Sequence, residues 1–270
     1  MQSSIFKNYK FKLTFLFIFS LLFLFLGIIS PEKNGFKISL VGLIALLFVA
    51  IDYKLIKLDC DVLDKRKKFV IQLKRERKNI LISILIISIA VYLFQHFLMK
   101  ELGTLEIVMI EYGIVYQKIN EGEKWRLLIG FLFHSSISHW LINIALLIGF
   151  CALARPYSIT YIFIVFFVGC ILSSVGAYFL YIFGFSNNDG FLGVSGGVMA
   201  IAGAVIVATT ISFKNYFPKY FYISFISFVS SIIFIDFITT TFMTSFSHLV
   251  GFLSGILISL VSFKLSKIKF

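Results

Sequence analysis

Eight blocks of mainly apolar residues, separated by polar stretches, constrain this chain more than any other feature. They run at about 13–30, 36–52, 80–99, 127–154, 157–183, 195–213, 221–237 and 248–263. A helix that crosses a bilayer needs about 20 mostly apolar residues. Within hydrocarbon every backbone N–H and C=O must be satisfied inside the protein, and a helix does this segment by segment. The blocks therefore predict an all-α integral membrane protein with about eight spans. Composition agrees, since 59% of the 270 residues are apolar and only 14% charged, against about a quarter charged in a soluble domain. The first two blocks, joined by the turn Ser30-Pro31-Glu32-Lys33-Asn34-Gly35, read as a transmembrane hairpin. Lys7, Lys10 and Lys12 ahead of the first block resemble the start of a signal peptide, but no small-residue cleavage site follows.

The net charge of +12 would raise nucleic acid as a partner in a soluble protein. Here the charges sit between the apolar blocks, as topology determinants do. With the N-terminus in the cytoplasm, the basic stretch 53–79, Arg155, Lys214, Lys219, Lys264, Lys267 and Lys269 all fall on the cytoplasmic side. The opposite side receives the glutamate-rich loop 100–126, Asn187-Asn188-Asp189 and residues 239–247. Lys33 and Lys37 are the minor exceptions. Both termini are then cytoplasmic, and the 53–79 stretch, with Lys65-Arg66-Lys67-Lys68 and Lys74-Arg75, faces anionic lipid headgroups rather than nucleic acid. Cys60, Cys151 and Cys170 have no metal-like spacing and read as small apolar or surface thiols.

Polar groups inside lipid are functional candidates, and three clusters qualify. Gly193-Val194-Ser195-Gly196-Gly197 opens a block after a polar loop. Its glycines allow a sharp turn and a close approach to the backbone, and a serine at a helix N-terminus has unsatisfied N–H groups beside it. Serine is also a good N-cap, so this motif alone is weak. In Ser247-His248-Leu249-Val250-Gly251-Phe252-Leu253-Ser254-Gly255, Gly251 and Gly255 make a small-xxx-small face that lets helices pack closely. His248 lies on about that face, where it could serve as base to Ser195 or as a structural histidine at a helix end. In His134-Ser135-Ser136-Ile137-Ser138-His139-Trp140-Leu141-Ile142-Asn143, His139 and Asn143 share one helix face and both can donate to an oxyanion. A polar cap explains His134 and the serines equally well, and Asn143 less well. In the orientation set by charge alone, Ser195, His248, His139 and Asn143 all lie near the non-cytoplasmic ends of their helices. Asp236, on another helix, reads as structural.

Gly193-x-Ser195-Gly196, then His248-x-x-Gly251-x-x-x-Gly255, preceded by His134, His139 and Asn143, resembles the rhomboid family of intramembrane serine proteases in order and spacing. Trp125-Arg126 resembles the family's Trp-Arg pair. The likeness covers about residues 80–265 and implies a six-helix catalytic core, with residues 1–52 as an added transmembrane hairpin, 53–79 as a cytoplasmic linker and 266–270 as a basic tail. It implies a Ser195–His248 dyad, and an oxyanion hole from the Ser195 N–H with the His139 and Asn143 side chains. Gly193, Gly196, Gly251, Gly255, His134, Trp125 and Arg126 are implied as structural support. It also implies transmembrane protein substrates cut near the outer surface, with no metal, nucleotide or other cofactor. Two positions depart from the family pattern: Ala154-Arg155-Pro156 stands where many members have a glutamate that braces the first loop, and Met199 where an aromatic often packs on the histidine.

Two other functions compete with proteolysis. A client-binding pseudoenzyme usually lacks the serine or the histidine, and this chain keeps both; a transporter calls for internal repeats or conspicuous intramembrane charge. The lack of a transit peptide favours a bacterial-type plasma membrane. The charge pattern predicts that a cysteine introduced at Lys118 is labelled by an impermeant maleimide on intact cells. One introduced at Lys267 is expected to react only after permeabilisation; the reverse result overturns the orientation.

Overall fold

The computed structural model describes residues 60–154, 158–185, 189–211, 219–239 and 242–267, with isolated helical positions between 17 and 54. The elements in chain order are α1 (Cys60–Leu102), α2 (Leu105–Tyr112), β1 (Ile114–Val115), α3 (Tyr116–Asn120) and α4 (Arg126–Ile129). After a 3-10 turn (Gly130–Leu132) come α5 (Ile137–Leu153), α6 (Ile159–Ile182), β2 (Gly190–Phe191), α7 (Ser195–Ile211), α8 (Lys219–Thr239) and α9 (Phe242–Lys267). The protein is predominantly helical. Among the described residues, three helices are long and apolar enough to cross a membrane: Leu81–Leu102, Ile159–Ile182 and Phe242–Phe263. His139–Leu153, Ser195–Ile211 and Phe225–Ile238 are shorter apolar helices.

The chain divides into two compact units, residues 1–74 with 213–241, and residues 75–212 with 242–270. The first contains α8. The described positions of blocks 13–30 and 36–52 are helical, and the Ser39 hydroxyl donates to the Leu24 carbonyl at 3.3 Å. Most of the expected N-terminal hairpin lies outside the described residues. The second unit holds every candidate site residue.

Two elements differ from the sequence expectation. The block 127–154 is not one span: α4 and the 3-10 turn precede an extended Phe133, and α5 begins only at Ile137. The cause is local chemistry, because the Ser136 hydroxyl caps α5 by accepting from the His139 N–H at 3.2 Å. The last block starts six residues early, at Phe242, so His248 lies inside a helix rather than at its end. The basic stretch is helical from Cys60 and continuous with the following span.

At the centre of the second unit is α7. All but Ile206, Thr210 and Ile211 of its 17 residues are buried, against α9, α6 and α5. Its glycines and alanines make it thin enough for backbones to touch, which is how helices associate where no hydrophobic effect drives them together. A Cβ at Gly251 would meet the Gly196 carbonyl and come within 3.0 Å of Gly196 Cα. One at Gly255 would run into the Ala200 carbonyl, and one at Gly203 into that of Phe252. On the other side, a Cβ at Gly197 would lie 2.6 Å from the Phe166 carbonyl of α6. Hydroxyls in these helices bond backward to their own backbone, as Ser174 does to Cys170 and Ser254 to Gly251.

Backbone atoms cannot step aside, so Gly255→Ala forces α7 and α9 apart and is expected to cost about 1–3 kcal/mol. Gly149→Ala, on α5 with nothing within 4 Å of the new Cβ, is expected to change stability by less than about 1 kcal/mol. Unfolding titrations in mixed micelles check the pair; equal costs would contradict the packing.

Candidate functional site

The site is assembled at the N-terminus of α7. Ser195 is the first residue of that helix and is buried. The chain reaches it through Gly193, whose φ of +98° is a left-handed conformation that favours glycine. Space gives a second reason for glycine there. A Cβ at 193 would lie 2.8 Å from His139 Cε1, 3.0 Å from His139 Nε2 and 3.5 Å from Asn143 Nδ2. The helical spacing of His139 and Asn143 on α5 thus brings both polar side chains onto the backbone two residues ahead of Ser195. Asn143 is buried, and its Nδ2 has no hydrogen-bond partner among the described residues. A buried amide N–H without a partner is costly, and one aimed at the start of a helix is a donor in reserve. The Val194 carbonyl accepts from Val198 N–H within α7 and from the Cys170 thiol at 3.8 Å.

His248 sits on α9 one turn before Gly251 and is buried. Gly251 packs on Gly196, the residue after Ser195, so His248 and Ser195 each lie within one helical turn of that contact. Ser173 of α6 lies against the same place. Its Cβ is what a side chain at Gly196 would strike, and its hydroxyl donates to the Ser247 carbonyl at 2.8 Å. Met199 is buried one turn below Ser195.

His134 takes a different role from His139. Its backbone N–H donates to Gln95 Oε1 at 2.9 Å, and its carbonyl accepts from Gln95 Nε2 at 2.7 Å. Gln95, on α1, is buried, so this two-way amide clasp fixes the extended segment that leads into α5. His134 Nδ1 donates to the Leu132 carbonyl at 3.1 Å, and its ring stands edge-on to His139 with centroids 5.2 Å apart. An apolar cavity of about 210 Å³ lies beside this segment between α1, α5 and α6, and His134 and Val194 are in its wall.

The long connection 103–125 is folded against the site. Ile114 and Val115 pair antiparallel with Phe191 and Gly190, so the first loop and the approach to Gly193 share a ladder. Tyr116 N–H donates to the Asp189 carbonyl at 2.9 Å. The Tyr116 side chain is fully buried, packs on Tyr178 and Tyr181, and donates its hydroxyl to Met243 Sδ at 3.0 Å, near the start of α9. Burial pushes its phenol well above the ordinary range, so the hydroxyl keeps the proton it donates. In this loop Ile107 and Ile110 are exposed, while Val108, Ile114, Tyr116 and Ile119 form its buried side.

Arg126 locks the loop shut. Its guanidinium is buried, with Nε 2.7 Å and Nη2 2.6 Å from Glu123 Oε2, and Nη1 donating to the Gly113 carbonyl at 2.7 Å. Its charge also lies 4.7 Å from the centre of the half-exposed Trp125 ring. Arg126 thus joins Glu123, the Gly113 carbonyl and the Trp125 ring in one set of contacts. Arg155 and Pro156 lie outside the described residues; buried Ala154 is described.

Gln95, Tyr116 and Ser173 were not singled out by sequence. Gln95 and Ser173 stand inside apolar blocks, and that placement is the signal that could have marked them.

Fold and site together define a helical integral membrane protein with a buried polar cluster at one helix N-terminus. A family model, the rhomboid domain, matches residues 121–265, more than half of the chain, and the chain belongs to the rhomboid family. A search of curated proteins returns no match.

Replacing Arg126 with Met would leave the Gly113 carbonyl and Glu123 without their charged donor. The expected loss is about 2 kcal/mol of stability, with earlier proteolytic cutting between 103 and 125. Unfolding titration and limited proteolysis measure both; an unchanged loop would show that Arg126 is not its lock.

Proposed function

We propose that this rhomboid-family protein is an intramembrane serine endopeptidase, with Ser195 as nucleophile and His248 as base. The packing of Gly251 on Gly196 carries this reading, because His248 and Ser195 each lie within a turn of that contact on adjoining helices. The convergence of His139 and the unpaired Asn143 amide on Gly193 supports an oxyanion hole at the same helix end.

In this reading His248 takes the Ser195 hydroxyl proton as Oγ attacks a peptide carbonyl carbon. The carbonyl oxygen becomes an oxyanion, held by the N–H of Ser195 and by His139 and Asn143. His248 then gives its proton to the leaving amine, and an acyl-enzyme ester remains. Water, deprotonated by the same imidazole, attacks the ester; the carboxylate product leaves and Ser195 recovers its proton.

Substrates are transmembrane segments of other proteins, cut near the non-cytoplasmic surface. Both termini face the cytoplasm, the core runs from 80 to 265 within about eight spans, and the basic stretch 53–79 contacts anionic lipid. A bacterial-type plasma membrane fits these assignments.

Cleavage of a model transmembrane substrate in liposomes tests the reading. Ser195→Ala and His248→Ala are expected to abolish cutting, and Asn143→Ala to reduce kcat by about 10²–10³-fold. Folded wild-type protein that neither cuts nor reacts with a fluorophosphonate would instead fit a client-binding pseudoenzyme.

A further inference from the structure

We propose that Ser173 is a positioning residue, which holds the relative placement of Ser195 and His248 by touching the immediate neighbour of each. The inference rests on the protease reading and adds α6 to the helices that form that site.

Ser173 is wholly buried on α6. On one side it faces Gly196, where its Cβ and Oγ occupy the space a side chain there would need. On the other, its hydroxyl donates to the carbonyl of Ser247 at 2.8 Å. Gly196 follows Ser195, and Ser247 precedes His248. One short side chain therefore spans from the nucleophile's helix to the base's helix.

The glycine interface cannot supply this alignment alone. Contacts between Gly196 and Gly251, or Ala200 and Gly255, set how near α7 and α9 come. Van der Waals contact between smooth faces resists separation but resists rotation and sliding only weakly, since each atom pair contributes little. A hydrogen bond is directional and falls off steeply with misalignment. In a regular helix the Ser247 carbonyl already accepts the Gly251 N–H, and a carbonyl has a second lone pair for Ser173. The bond to Ser173 thus fixes the turn that carries both His248 and Gly251 without disturbing the helix ladder.

A second hydrogen bond between the same helices provides the control. Tyr161 Oη donates to Ser259 Oγ at 3.2 Å, three turns further along α9 and away from the site. Removing either bond weakens the α6–α9 contact; only Ser173 adjoins the reacting pair.

The test compares Ser173→Ala and Tyr161→Phe in liposomes, with kcat, KM and melting temperature for each. Ser173→Ala is expected to lower kcat about tenfold or more, as small misplacements in a reacting pair do, with KM within about twofold and a melting temperature near that of Tyr161→Phe. Tyr161→Phe is expected to keep wild-type kcat. Should Ser173→Ala not fold, Ser173→Cys serves, since its thiol is a weaker and longer donor and is expected to give a reduced kcat. Wild-type kcat in Ser173→Ala, or in Ser173→Cys where alanine does not fold, overturns the inference. So does an equal loss in Tyr161→Phe. Ser195→Ala separates the two failures: cutting that survives it sinks the protease reading and this inference together. Cutting that Ser195→Ala abolishes but Ser173→Ala leaves intact sinks the positioning role alone.

Discussion

Backbone-to-backbone packing around α7 is the constraint on which the rest of the second unit depends. Inside a bilayer the hydrophobic effect does not favour one apolar helix pair over another, so association relies on dispersion and on how closely backbones approach. Gly196, Gly197, Ala200 and Gly203 remove side chains from the faces of α7, and Gly169, Gly251 and Gly255 do the same on its neighbours. The chemistry of the candidate site is a consequence. Ser195 and His248 each lie within a turn of the Gly196–Gly251 contact, and the Gly193 turn can approach His139 and Asn143 closely because it carries no Cβ.

Around that apolar contact, polar bonds supply direction. Gln95 grips the backbone of His134, Ser173 grips that of Ser247, and Arg126 grips that of Gly113. In each case a buried side chain satisfies a main-chain carbonyl, and in each case the carbonyl belongs to a segment that presents or covers the site. Such bonds are worth little net in water but more to specificity where no water competes. Tyr116 extends the same logic from the first loop to α9 through its hydroxyl and Met243. The short ladder of Ile114–Val115 on Gly190–Phe191 ties that loop to the approach to Ser195, so the loop is part of the site's frame.

The outward surfaces tell the complementary story. Ile82, Ile86, Phe163, Ile164, Leu253 and Leu257 are exposed, although each lies in a helix long and apolar enough to span a membrane. In water such a surface would drive aggregation. In hydrocarbon it is neutral, which leaves small residues and a few polar groups to decide how the helices meet.

Much of this was legible in the sequence, and the limits of that reading are physical. The length and spacing of apolar blocks determined that the chain is helical and lies in a membrane, because the bilayer sets element length directly. The i,i+4 spacing of His139 and Asn143 and the glycines beside Ser195 and His248 determined which residues could meet, because helix geometry is periodic. The break in block 127–154 was not legible, since capping by Ser136 competes with an otherwise continuous apolar run. Nor was the early start of α9, because Phe242–Ser247 carry no composition that separates a polar loop from a helix turn. The roles of Gln95, Ser173 and Tyr116 were decided only by tertiary structure. Each acts through a bond to residues 39, 74 and 127 positions away, and no local pattern encodes a partner at that distance.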